Sequence, residues 1–143
     1  MRLNTAVSVL ILRIVLGVTF LVHGIMKFTM GLDAVAGMFA GMGLPGFLGY
    51  AVSVIELVGG AAMILGLGTR VVAFLFACVM VGAIVTVKWS VGFVGNEDMA
   101  GYEFDLALLA ISVSLLLTGG GRWALDRFFD KEEHFSMFPL VDG

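Results

Sequence analysis

The chain has 143 residues, of which 60% are hydrophobic and only 13% charged, and its mean hydropathy is +1.08. Soluble domains carry roughly 25% charged residues, so an ordinary soluble fold is excluded. The net charge of −3 and the lack of any basic patch also leave no electrostatic footprint for nucleic acid.

The length leaves room for one domain. A bilayer span takes roughly 20 apolar residues, and four segments qualify, at 5–26, 47–67, 71–91 and 103–121. The first is interrupted by Arg13 and His23, and the second by Glu56 alone. The third is uncharged until Lys88, and the fourth follows Glu103 and Asp105. A signal peptide is rejected for residues 1–26: the apolar run is too long, contains Arg13 and lacks an A-x-A site. The expected fold class is all-α: an integral membrane four-helix bundle, residues 1–143 forming a single membrane domain with a tail at 122–143.

The first connection, residues 31–46, places Leu32, Val35, Met38, Phe39 and Met42 at helical spacing. It is read as a short amphipathic helix on the outer membrane surface. The tight turn Gly66-Leu67-Gly68-Thr69-Arg70 makes the second and third spans a hairpin. Arg2, Arg70, Arg122, Arg127 and Lys131 fall on one side, and Lys27 and Lys88 on the other. The positive-inside rule then puts both termini in the cytoplasm of a multi-pass cell-membrane protein. Trp123 falls at the inner interface, with Trp89 and Tyr102 at the outer one. The lone cysteine, Cys78, forbids an internal disulfide and reads as a packing residue.

Ionisable groups inside a span cost about 2.5–3.5 kcal/mol each on insertion scales and are functional candidates. Counting 1.5 Å per residue from the flanking cytoplasmic arginines sets Arg13 ~16 Å deep and Glu56 ~21 Å deep. Opposite charges near the midplane predict a buried Arg13–Glu56 ion pair that fixes helix register. The same ruler gathers His23, Lys88, Glu103 and Asp105 at ~25–31 Å, near the outer boundary. Lys27 shares a helix face with His23, four residues earlier. Asp105 points roughly 200° away from Glu103. Glu103, Ala107, Ala110 and Ser114 form a stripe of small residues, so Glu103 is chosen as the group facing the bundle centre.

These pieces, in this order, resemble the DoxX family of small four-helix membrane proteins. The likeness is carried by LRIVLGVTFLVHGIMKF (12–28), IELVGGAAMILGLGTR (55–70), TVKWSVGF (86–93), GYEFDLALLA (101–110) and GGGRWALDRF (119–128). Carried over by position, the family's polar residues are Arg13, His23, Lys27, Glu56, Glu103 and Asp126. Two positions depart from the expected pattern: Lys88 stands where relatives are expected to carry histidine, and Gly119-Gly120-Gly121 replaces Gly-Pro-Gly. The resemblance implies an oxidoreductase component acting on a membrane quinone (menaquinone or ubiquinone) with a soluble or membrane partner that donates electrons.

The residues are compatible with this. Quinone chemistry needs hydrogen-bond donors and a proton source near one surface, which His23, Lys27, Lys88 and Glu103 offer as catalytic candidates. Met38 and Phe39 would close over the quinone. No metal site and no covalently bound cofactor is expected, since His134, the only other histidine, is in the tail. Two further readings belong to other classes. One is a non-catalytic membrane assembly factor or anchor subunit. The other is a small proton or solute transporter, for which four short helices leave little room unless the chain forms a homo-oligomer.

Overall fold

A computed structural model describes residues 2–129, so Lys131, His134 and the rest of the tail from 130 onward lie outside the described residues. The described chain is helical. Helix α1 spans Leu3–Met30, α2 Leu32–Gly41, α3 Phe47–Leu65, α4 Thr69–Ala83 and α5 Glu103–Thr118. Helix α4 continues through a π-helical turn, Ile84–Lys88, and a 3-10 turn, Trp89–Val91. Three helices are long and apolar enough to cross a membrane: Leu3–Met30, Phe47–Leu65 and Thr69–Val91. Helix α5, at 16 residues, rises ~24 Å.

Glycine sets how closely α1 and α3 approach. A Cβ on Gly24 would lie 2.5 Å from the Leu57 backbone nitrogen, and one on Gly60 2.5 Å from that of Leu21. Only a missing side chain permits this contact, the usual device of membrane helix pairs. The core beside it is apolar: Leu16, Met63, Phe76 and Leu115 are fully buried. The Phe20 and Phe76 rings stack with centroids 3.7 Å apart, joining α1 to α4. Outward, large apolar side chains are exposed, including Val58, Val71 and Leu117. That inverted pattern suits helices whose solvent is lipid.

The glycine contacts fix the antiparallel register and overturn the expected midplane ion pair. Gly17 opposes Gly60 and Ile64, while Gly24 opposes Glu56 and Leu57. Glu56 is therefore level with the C-terminal half of α1, eleven residues or ~16 Å along the helix from Arg13. Arg13 instead sits at the end of the bundle. Its guanidinium donates to the carbonyls of Gly120 (2.7 Å), Ile64 (3.1 Å) and Trp123 (3.2 Å). These oxygens lie at or just beyond the C-terminal ends of α3 and α5, where carbonyls lack intrahelical partners and the helix dipole favours a cation. The depth ruler failed because α1, at 28 residues, is longer than a bilayer core, so Arg2 does not mark its level.

The same end is closed by Asp126. Its carboxylate accepts from the backbone N–H groups of Gly68 (2.6 Å) and Thr69 (2.9 Å), capping α4. Its own N–H donates to the Gly66 carbonyl at 2.9 Å. Gly66 adopts a left-handed conformation, φ 75°. A Cβ there would meet Ala124 at 2.7 Å and the Arg13 guanidinium carbon at 2.9 Å.

Candidate functional site

Two ion pairs occur among the described residues, both in the other half of the bundle. Lys27 Nζ on α1 meets Glu56 Oε2 on α3 at 2.5 Å, with the carboxylate side chain 6% exposed. Lys88 Nζ, at the end of the π-helical turn, meets Asp105 Oδ2 on α5 at 2.5 Å, with that carboxylate 8% exposed. Each pair tethers two helices. The π turn adds a residue to the helical repeat where Lys88 turns toward Asp105, and such single-turn distortions cluster at functional sites.

Both pairs line one cavity of about 530 Å³, within the range of sites for drug-sized ligands. Its wall is otherwise mostly apolar, drawn from α1, α3, α4 and α5, with Phe39 and Met42 from α2 and the turn after it. His23 also lines it. Its Nδ1 is 2.8 Å from the Thr19 carbonyl. A carbonyl only accepts, so Nδ1 donates the hydrogen and Nε2 is the ring nitrogen left free of that bond. Each ammonium spends one N–H on its carboxylate and keeps two for a guest. The cavity therefore offers hydrogen-bond donors on two walls, α1 and the end of the α4 continuation, and a second imidazole nitrogen on the α1 wall, within an otherwise mostly apolar lining.

Of the sequence-predicted residues, the structure brings together His23, Lys27, Lys88 and Phe39, and adds Glu56. It removes Glu103 from the centre: that side chain is exposed, and Asp105 takes the place assigned to it. The buried stripe of α5 is Asp105, Leu108, Ser112 and Leu115, at spacings of three, four and three. Met38 is 55% exposed and does not line the cavity, whereas Phe39 and Met42 do. Cys78 is exposed and lines the cavity, so it is not the packed residue expected. Asp33 and Tyr50 are hydrogen-bonded, tying α2 to α3, and Gly49 packs against Ala36.

Three apolar helices of crossing length, dressed outside in large apolar residues and enclosing paired charges, define a helical membrane protein. The chain belongs to the DoxX family, whose profile matches residues 8–89. It is 42% identical over 131 residues to a Bacillus subtilis (strain 168) protein named "Putative oxidoreductase CatD", covering 92% of this chain and 93% of that one. It is 38% identical over 134 residues to an uncharacterized membrane protein of Mycobacterium tuberculosis, covering 87% of this chain and 82% of the relative. No solved structure matches.

Proposed function

We propose that this protein is a quinone-reactive component of a membrane oxidoreductase, in which the chain binds the quinone and an electron-donating partner supplies the electrons. On this reading the chain crosses the cell membrane four times. Helix α5 and the glycine turn after it form the fourth crossing, α2 lies on the outer surface, and both termini are cytoplasmic. The distribution of Arg2, Arg70, Arg122 and Arg127 against Lys27 and Lys88 supports that orientation. The oxidoreductase name of the Bacillus subtilis relative supports the redox class.

The observation that carries the reading is a single apolar cavity of quinone size that holds two lysine–carboxylate pairs and His23. A quinone headgroup presents two carbonyl acceptors separated by an apolar ring. Lys27 and Lys88, on different helices, offer each carbonyl a donor. Reduction to the quinol takes up two electrons and two protons. The electrons come from the partner, while the lysines and His23 are the groups at hand to pass protons. Glu56 and Asp105 hold the lysines and balance their charge.

The test is a titration of a fully substituted benzoquinone into detergent-solubilised protein, followed by tryptophan quenching. The double variant Lys88→Met/Asp105→Asn removes one donor without stranding a charge. It is expected to bind about tenfold more weakly, the effect of losing roughly 1.4 kcal/mol. Glu103→Gln should bind as wild type does. Equal affinity in all three, or no binding by wild type, would sink the quinone assignment.

A further inference from the structure

Six of the residues that line the cavity are themselves exposed: His23 on α1, Met42 after α2, Ala51 on α3, Cys78 on α4, Thr86 in the π-helical turn and Phe104 on α5. Of these, Ala51 on α3 and Cys78 on α4 carry the smallest side chains, so a mouth between those two helices is the least obstructed by its own rim. Small side chains continue along α4: Gly82 lies one turn beyond Cys78 and Ala83 follows it, both lining the cavity. A Cβ built on Gly82 meets nothing within 4 Å, so space lies directly against that backbone. The hairpin turn at Gly66–Gly68 joins α3 and α4 at the opposite end, where Gly59 packs on the Phe76 ring. That contact and the hairpin tie the two helices together on the side away from the ion pairs. The exterior around the mouth is apolar, with Val54, Phe74 and Val81 exposed. Such an exterior suits lipid as its solvent.

Resting on the quinone reading above, we propose that the cavity is filled sideways from the bilayer through this α3–α4 mouth, and that its occupant is an amphiphile with a single flexible apolar tail. The carbonyl-bearing head lies between Lys27 and Lys88, and the tail leaves across Cys78 and Gly82 into the lipid. The small residues on the α4 rim are what make room for the tail. Free diffusion of a tail-less, water-soluble quinone to the same head site does not need this channel. Tail recognition and head recognition are therefore separable.

Cys78 is the only cysteine in the sequence, so its alkylation by N-ethylmaleimide reports on the mouth in the native protein. Tetramethylbenzoquinone serves as the tail-less probe and a fully substituted benzoquinone bearing a ten-carbon chain as the tailed one. Both lack the ring hydrogen through which a thiol would add. Each is titrated by tryptophan quenching and then tested at saturation for its effect on the alkylation rate. The tailed quinone should slow Cys78 alkylation about tenfold, and the tail-less one should bind yet leave the rate unchanged. Gly82→Phe, which projects into open space, should weaken the tailed probe about tenfold and spare the tail-less probe. Binding of both quinones with no protection of Cys78 by either, or equal protection by both, overturns the portal while the head site stands. Failure of wild type to bind either quinone overturns the head site and the portal together.

Discussion

The clearest quantitative consequence of the helix register concerns which cation Glu56 serves. Glu56 is 2.5 Å from Lys27, whereas its axial separation from Arg13 is ~16 Å. Groups more than about 7–10 Å apart with no shared partner combine additively within about 0.3–0.5 kcal/mol. A hydrogen bond to a charged group contributes about 1.5–3 kcal/mol in water-soluble proteins. Side-chain bonds between membrane helices reach at most about 1.7 kcal/mol, because the unfolded chain in the membrane also finds partners. A double-mutant cycle of Glu56→Gln with Lys27→Met should therefore give a coupling of about 1–1.7 kcal/mol. The cycle of Glu56→Gln with Arg13→Met should give less than about 0.5 kcal/mol. Both can be measured by reversible unfolding in mixed micelles of mild detergent and sodium dodecyl sulfate. A larger coupling to Arg13 than to Lys27 would refute the register.

Other perturbations read separate parts of the fold. Arg13→Met should destabilise the protein by about 3–5 kcal/mol, since it strands three carbonyls at the closed end of the bundle, and the same unfolding assay measures it. Gly24→Leu should lower the detergent melting temperature strongly because its Cβ already meets the Leu57 backbone at 2.5 Å. Gly37→Ala, with nothing within 4 Å, should be neutral or slightly stabilising. In a Cys78→Ala background, cysteine at Asn96 should react with an impermeant maleimide in intact cells; reaction only at a cysteine placed at Phe129 would invert the topology.

Hydropathy and helical spacing made much of this fold legible, because a bilayer demands long apolar runs and those runs have little else to encode. The boundaries of the apolar segments and the helix within 31–46 came from that pattern alone. So did the gathering of His23, Lys27 and Lys88 into one layer. Pairing was harder to read. Depth counted from Arg2 assumes that α1 begins at the membrane face, whereas its 28 residues exceed a bilayer core, so the count pairs Arg13 with the wrong partner. Asp105 was missed because α5 is apolar on nearly every side, which removes the contrast that identifies a buried face. The spacing Asp105-Leu108-Ser112-Leu115 was available as a signal, but the small-residue stripe through Glu103 competed with it. The opening beside Gly82 leaves no trace in composition, since a glycine that admits a ligand looks like one that admits a helix.

The most direct measurement is the lipid content of the purified protein. Wild type and the Lys88→Met/Asp105→Asn variant would be isolated in the same mild detergent, extracted with organic solvent and assayed by mass spectrometry. Wild type is predicted to retain menaquinone or ubiquinone well above the level in a control membrane protein from the same cells, and the variant to retain much less. Wild type free of quinone, or the same quinone content in both, would contradict the assignment of the cavity as a quinone site.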